Sequence, residues 1–237
     1  MSVASVHAEE IHPYVWRASQ LAAPVSRTVA SGFADLDREL PGGGWPTGSL
    51  IELMIPQPGC GELRLLRPAL ATLAARPLIF LQPPHRLQPA AFDWWGLPTR
   101  NLTVLKAANT ADALWATEQV LHAGTAGAVL LWQSQIRAEA LRRMQLAAQR
   151  SDSLFILFRP LAAAASTSPS PLRLLVAPFS SGISVSFVKR RGPSRDESLF
   201  VPLAPSPILF DRNALDRSSS APPRPRELSP ELVHDIV

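Results

Sequence analysis

Apolar residues are distributed along the chain in two alternating rhythms. Short runs at 50–55 (LIELMI), 78–81 (LIFL), 102–105 (LTVL), 128–132 (AVLLW) and 154–158 (LFILF) lack the every-other-residue alternation of a half-exposed strand. They are therefore expected to be strands buried on both faces. Helical spacing lies between them. Leu66, Ala69, Leu70 and Leu73 recur at i, i+3, i+4 and i+7, with Arg64 and Arg67 outside. Ala113, Ala116 and Val120 repeat the spacing, with Asn109 or Thr110 as cap and Gly124 as stop; residues 137–150 place Leu141, Met144 and Ala148 inward and Arg142, Arg143 and Arg150 outward. Shorter helices are predicted over 34–40, ending at Pro41, and over 88–95, ending at Gly96. Strands and helices in strict alternation predict an α/β fold whose mostly parallel sheet is flanked by helices.

The pattern changes past residue 158. Residues 159–171, RPLAAAASTSPSP, have the composition of a low-complexity loop. Strands near 172–176, 183–188 and 199–203, with a basic KRRGPSR turn before the last, predict an antiparallel C-terminal extension of the sheet. Residues 1–30 form an arm in which Pro13 and Pro24 limit any long helix, and Trp16 is an isolated anchor for the body or for a neighbouring subunit. Residues 211–237 are polar and proline-rich, the composition of a disordered tail. The expected domain is 31–210.

A hydrophobic content of 46% over 237 residues supplies a sizeable core, and a net charge of +4 permits a nucleic-acid or acidic-protein partner without demanding one. With Cys60 as its one cysteine, the chain has no disulfide framework and no cysteine metal cluster, which fits a reducing compartment. The five histidines show no metal-ligand spacing. No apolar run is long enough to cross a bilayer, and MSVASVHAEE lacks the regions of a signal peptide, so a cytoplasmic protein away from the membrane is expected.

One junction carries candidate chemistry. SLIELMIPQPGCGELRLLRPALATL, 49–73, has the strand–loop–helix order that gathers backbone N–H groups around a phosphate. A working loop follows GxxxxGK[ST], with lysine reaching the outer phosphates and the hydroxyl holding magnesium. With Gly61 as the last glycine and Gly59 inside the loop, Pro56 stands at the first glycine, Glu62 at the lysine and Leu63 at the hydroxyl. A carboxylate about 4 Å from a phosphate oxygen is repelled by roughly 4 kcal/mol where lysine would attract by as much. In the first turn of a helix, by contrast, glutamate is favoured by about 0.3–1 kcal/mol. The loop is degenerate, and neither a nucleotide cofactor nor a metal is expected.

SGFADLDRELPGGGWPTGSLIEL, 31–53, resembles the run that leads into the phosphate loop of the RecA recombinase family. IFLQPPHRLQPAAFDWWGLPTRNLTVL, 79–105, is similar to that family's segment bearing the catalytic glutamate, with Pro84 at the acidic position. GAVLLWQSQ, 127–135, resembles its second nucleotide motif, with Trp132 where the metal-positioning aspartate belongs. The family's first DNA-binding loop has no counterpart, and its second corresponds to 159–171. The resemblance implies a RecA-like core that has lost its ATPase. Residues 63–160, including LLRPALATL, GLPTRNLTVL and LFRP, are also similar to the SulA cell-division inhibitors. Resemblance to the ImuA family of translesion-synthesis accessory proteins runs further, from HPYVWRASQL at residue 12 to VSFVKRRGPSRDESLFVPL ending at 203. The arm, the glycine-rich entry at 42–61 and the KRRG extension all favour it.

That resemblance implies a non-enzymatic accessory protein of SOS-induced, error-prone translesion synthesis. Its implied partners are a Y-family-like polymerase protein, an error-prone replicative-type polymerase and RecA. The SulA resemblance implies instead an inhibitor that binds the tubulin-like division protein. Candidate contacts are Trp16, the arginines Arg137, Arg142 and Arg143 on one helix, and Lys189, Arg190 and Arg191 in the basic turn, facing an acidic partner or DNA phosphate. Any DNA binding through them is expected to be weak, sequence-independent and salt-sensitive.

Overall fold

The uninterrupted apolar runs become the strands of one sheet. A computed structural model of the chain describes residues 27–192 and 195–203. Trp16, nearly all of the expected arm and the expected tail lie outside these residues. The described chain opens with β1 (Thr28–Val29), α1 (Ala34–Glu39) and β2 (Trp45–Pro46), with β1 and β2 paired antiparallel. There follow β3 (Ser49–Ile55), α2 (Glu62–Leu73), β4 (Leu78–Leu81), α3 (Pro89–Trp94), β5 (Leu102–Leu105), α4 (Thr110–Ala123), β6 (Ala128–Trp132), α5 (Ala138–Ala148) and β7 (Leu154–Pro160). The remaining strands are β8 (Leu172–Phe179), β9 (Gly182–Lys189) and β10 (Leu199–Pro202).

The large sheet has the order β10-β9-β8-β3-β7-β6-β4-β5, and every pairing from β8 to β5 is parallel. Only β9 and β10 run antiparallel, joined to the sheet through β8. The antiparallel extension therefore starts one strand later than the sequence pattern indicated. β8 pairs in parallel with β3 because the chain after β7 crosses over before entering it, and apolar content alone does not carry direction.

Each face of the sheet has its own core. Ile51, Leu53, Phe80, Leu130 and Phe158 face α2 and α3, meeting Leu65, Leu66, Ala69, Leu70 and Phe92. Leu50, Leu81, Val129, Leu131 and Phe155 face α4 and α5, meeting Leu114, Leu121, Leu141 and Met144. At roughly 25 cal/mol per Å² of buried apolar area, these two layers dominate the folding energy. The buried face of α4 is rotated from the expected one. Ala113, Leu114, Thr117 and Leu121 are inward while Ala116 and Val120 are half-buried, and Thr117 is accommodated because its hydroxyl donates to Ala113 O at 2.7 Å. Arg64 is not outside either: it is half-buried and its Nη2 donates to Leu203 O at 3.1 Å. Among the described residues no helix is long and apolar enough to cross a membrane.

A buried ion cluster ties the middle of the sheet together. Glu52, fully buried in β3, lies opposite Arg173 in β8; Arg159 of β7 faces the adjoining Met54. Arg159 Nη1 donates to Glu52 Oε2 at 3.0 Å, the Ser168 hydroxyl donates to Oε1, and Arg173 Nε lies 3.2 Å from Oε1 as an ion pair without hydrogen-bond alignment. Arg173 also donates from Nη2 to Ala163 O at 2.7 Å. That bond holds a 3-10 turn, Leu161–Ala165. The stretch 159–171 is thus not a loop throughout, since its first two residues complete β7 and its next five form this turn.

Removing one partner of a buried pair leaves uncompensated charge, which costs about 3–5 kcal/mol. Glu52→Ala is expected to lower stability by that amount in urea titration, because two guanidiniums lose their carboxylate, whereas Arg150→Ala on the exposed helix face should change it by less than about 0.5 kcal/mol. A Glu52→Ala midpoint matching the wild type would refute the cluster's role.

Candidate functional site

The carboxyl ends of β3, β4, β6 and β7 converge on one cleft of about 290 Å³. Such an end of a parallel sheet is where open α/β folds place their ligands. Pro56, Gln57 and Pro58 after β3, Gln82 and Pro84 after β4, Trp132 and Gln133 at β6, and Phe158, Arg159 and Pro160 of β7 line it. Three positions singled out in the sequence, Pro56, Pro84 and Trp132, are thereby brought to a single site. Gly59, Gly61, Glu62 and Leu63 complete the turn beside it.

Within that turn the chain supplies its own anion. Gly59 and Gly61 adopt φ of +84° and +108°, a region that side chains rarely enter, and Gly61 precedes the first turn of α2. Glu62, 3% exposed, folds back so that both carboxylate oxygens accept from Gly59 N, at 2.9 and 3.1 Å. Helix dipole and amide together offset part of the cost of burying the charge. A phosphate arriving here meets an amide already engaged and a negative charge in place. Leu63 packs against the core and offers no hydroxyl.

Pro84 and Trp132 both present apolar groups to the cleft. Trp132 is stacked between Phe158, 4.5 Å away at 21°, and Phe80, 6.2 Å away at 17°. Phe92 meets Phe80 edge-on at 5.6 Å, and Trp95 meets Phe92 the same way. A carboxylate at 132 would replace the ring that stacks in this aromatic column. The chain reaches Pro84 through Gln82, whose φ of +54° is the one non-glycine value of that kind among the described residues. Its strain of roughly 1–3 kcal/mol is held by a reciprocal bond with Ala107, Nε2 to Ala107 O at 2.9 Å and Ala107 N to Oε1 at 3.3 Å.

The basic candidates are partly committed inside the molecule. Arg190 donates from Nη1 to the carbonyl and to Oε2 of Glu39 at 2.8 and 2.7 Å and lies over the Phe187 ring at 4.8 Å, while Arg195 pairs with Glu39 Oε1. The Arg190 hydrogen bond leads in holding the Glu39 carboxyl below the usual range. The KRRG turn is therefore fastened onto the end of α1 through Arg190. Lys189 Nζ donates to Ser168 O at 3.0 Å, and Arg191 is exposed. On α5, Arg143 is joined to Glu118 of α4, with Arg137 and Arg142 exposed.

Sequence reasoning passed over Glu52, Arg159 and Arg173. The available signal was a lone charge inside each of three apolar strands, with one acid against two bases. Unpaired burial of any of them is too costly to be stable, so the three had to meet.

No family model matches the chain, and no curated protein does. Among solved structures, the chain is similar to the crystal structure of SulA from Pseudomonas aeruginosa, with 26% identity and a TM-score of 0.39 over 47% of this chain and 97% of that one.

Cys60 reports on the loop. Burial first and the Glu62 charge second push its thiol up to about 11. The thiolate fraction at pH 8 is thereby reduced roughly 10²-fold from that of an ordinary thiol, so labelling by a thiol reagent should be slower by a similar factor. Glu62→Gln removes the repelling charge, lowers the pKa and should speed labelling, while burial keeps the rate below that of a free thiol. Labelling of the wild type at a free-thiol rate would contradict the closed loop.

Proposed function

We propose that this chain is a non-catalytic accessory protein of SOS-induced, error-prone translesion DNA synthesis. It works in the cytoplasm, built on a RecA-like core whose nucleotide site has been closed. The observation that carries the non-catalytic reading is the Glu62 carboxylate on Gly59 N, where a phosphate would otherwise be received. Pro84 and Trp132 at the same cleft leave no acid to position a metal or an attacking water. The translesion role rests on the sequence resemblance to the ImuA family from residue 12 to residue 203, which includes the KRRG extension. A core without ATP chemistry retains surfaces for a Y-family-like polymerase protein, an error-prone replicative-type polymerase and RecA.

A SulA-like inhibitor of the tubulin-like division protein is the second reading, favoured by the resemblance of residues 63–160 alone. The two readings part in cells and in vitro. Deleting the gene should abolish damage-induced mutagenesis and leave division normal, and the purified chain should bind the purified Y-family-like polymerase protein of the same organism in gel filtration. Filamentous cells on overexpression, together with binding to the purified division protein and none to the polymerase protein, would overturn the proposal in favour of the second reading.

A further inference from the structure

The outer face of the helix pair α4 and α5 has the make-up of an interface. Arg143 joins the two helices, with Nε and Nη2 at 2.7 and 2.6 Å from Glu118 Oε1. One turn before Glu118 stands Trp115, 62% exposed, and one turn past Arg143 stands Leu146, 60% exposed. Arg142 and Arg150 flank Leu146 by one turn on either side, exposed and in no ion pair with the described residues. Large apolar side chains open to water within a rim of arginines are characteristic of a contact surface, in which Trp and Arg carry most of the energy.

The chain enters the described body at one end of this face. Arg27 pairs with Asp152, two residues past Arg150. Thr47 fixes Arg27 in place through two bonds to its carbonyl, from N at 2.8 Å and Oγ1 at 3.1 Å, and Gly48 N donates to Ser153 O at 3.0 Å. Residues 1–26 therefore start from the C-terminal end of α5. That helix of 11 residues is about 16 Å long, and the chain between Trp16 and Arg27 spans roughly 36 Å when extended. The face is within easy reach. Residues 9–16, EEIHPYVW, set an acidic pair directly beside an apolar run, which is complementary to arginines set beside Leu146 and Trp115.

We propose that residues 1–26 dock in cis on the α4–α5 face, with Glu9 and Glu10 against Arg142 and Arg150 and the apolar run through Trp16 on Leu146 and Trp115. A nucleic acid would engage the arginines and leave Leu146 in water, whereas this segment matches both halves of the surface. Tethering at the end of α5 gives the arm a local concentration in the millimolar range, which favours its own face over that of a second copy.

The test uses the full chain with a photo-crosslinking benzoyl-phenylalanine in place of the exposed Gln149, mixed with an isotopically heavy copy. Crosslinks are expected between position 149 and residues 1–26 of the same chain. Arg142→Glu with Arg150→Glu should reduce their yield at least tenfold, and adding Glu9→Lys with Glu10→Lys should restore it. Light-to-heavy crosslinks would replace the cis arm with a second copy, and crosslinks elsewhere, or a yield indifferent to the charge reversals, would overturn the proposal. Binding of a dT20 oligonucleotide that is lost on the same Arg142 and Arg150 reversals, with no crosslink to the arm, would assign the face to nucleic acid instead.

Discussion

The burial of Glu52 is the constraint on which the middle of the sheet depends. A carboxylate with no exposed surface is tolerated only where positive charge and hydrogen bonds reach it together, and here Arg159, Arg173 and Ser168 do so from three later parts of the chain. Strands β3, β7 and β8 must therefore stand side by side in one register. The same register brings the ends of β3 and β7 to the cleft and leads the chain from β3 into its glycine turn. Arg173, through its bond to Ala163 O, also makes the 3-10 turn part of this arrangement.

A second inward carboxylate decides what that turn can do. Glu62 satisfies Gly59 N and places a negative charge in the turn before α2, where it disfavours an arriving phosphate. The aromatic column through Trp132 gives the adjoining cleft an apolar side. Charge that could serve partners is likewise drawn inward at the basic turn, where Glu39 holds Arg190 and Arg195. On the α4–α5 face, by contrast, Arg142, Arg150, Trp115 and Leu146 are exposed.

Local pattern made the strands and helices readable, because unbroken apolar runs and 3.6-residue spacing are properties of neighbouring residues. Direction and partner choice are not local, which is why β8 was expected in the antiparallel extension and lies parallel to β3. The fastening of Arg190 on Glu39 was hidden for the same reason: the two are far apart in sequence, and a dense basic turn looks solvent-facing until its partner is placed. Pro84 and Trp132 could be linked to one site only through family resemblance, and the cleft then joined them physically. The position of Glu62 was the most accessible to reasoning. It lies three residues from Gly59, within reach of that amide, but its helix-dipole role accounted for the residue without requiring burial.

The central claim is that the loop is occupied by the chain's own carboxylate and does not receive nucleotide. The most direct measurement follows the Gly59 amide resonance by NMR during titration with ATP and magnesium. The amide should keep its chemical shift up to millimolar ATP and move when Glu62 is changed to Gln, because its acceptor is the carboxylate. A saturable shift of Gly59 at micromolar ATP, unaffected by Glu62→Gln, would contradict the account.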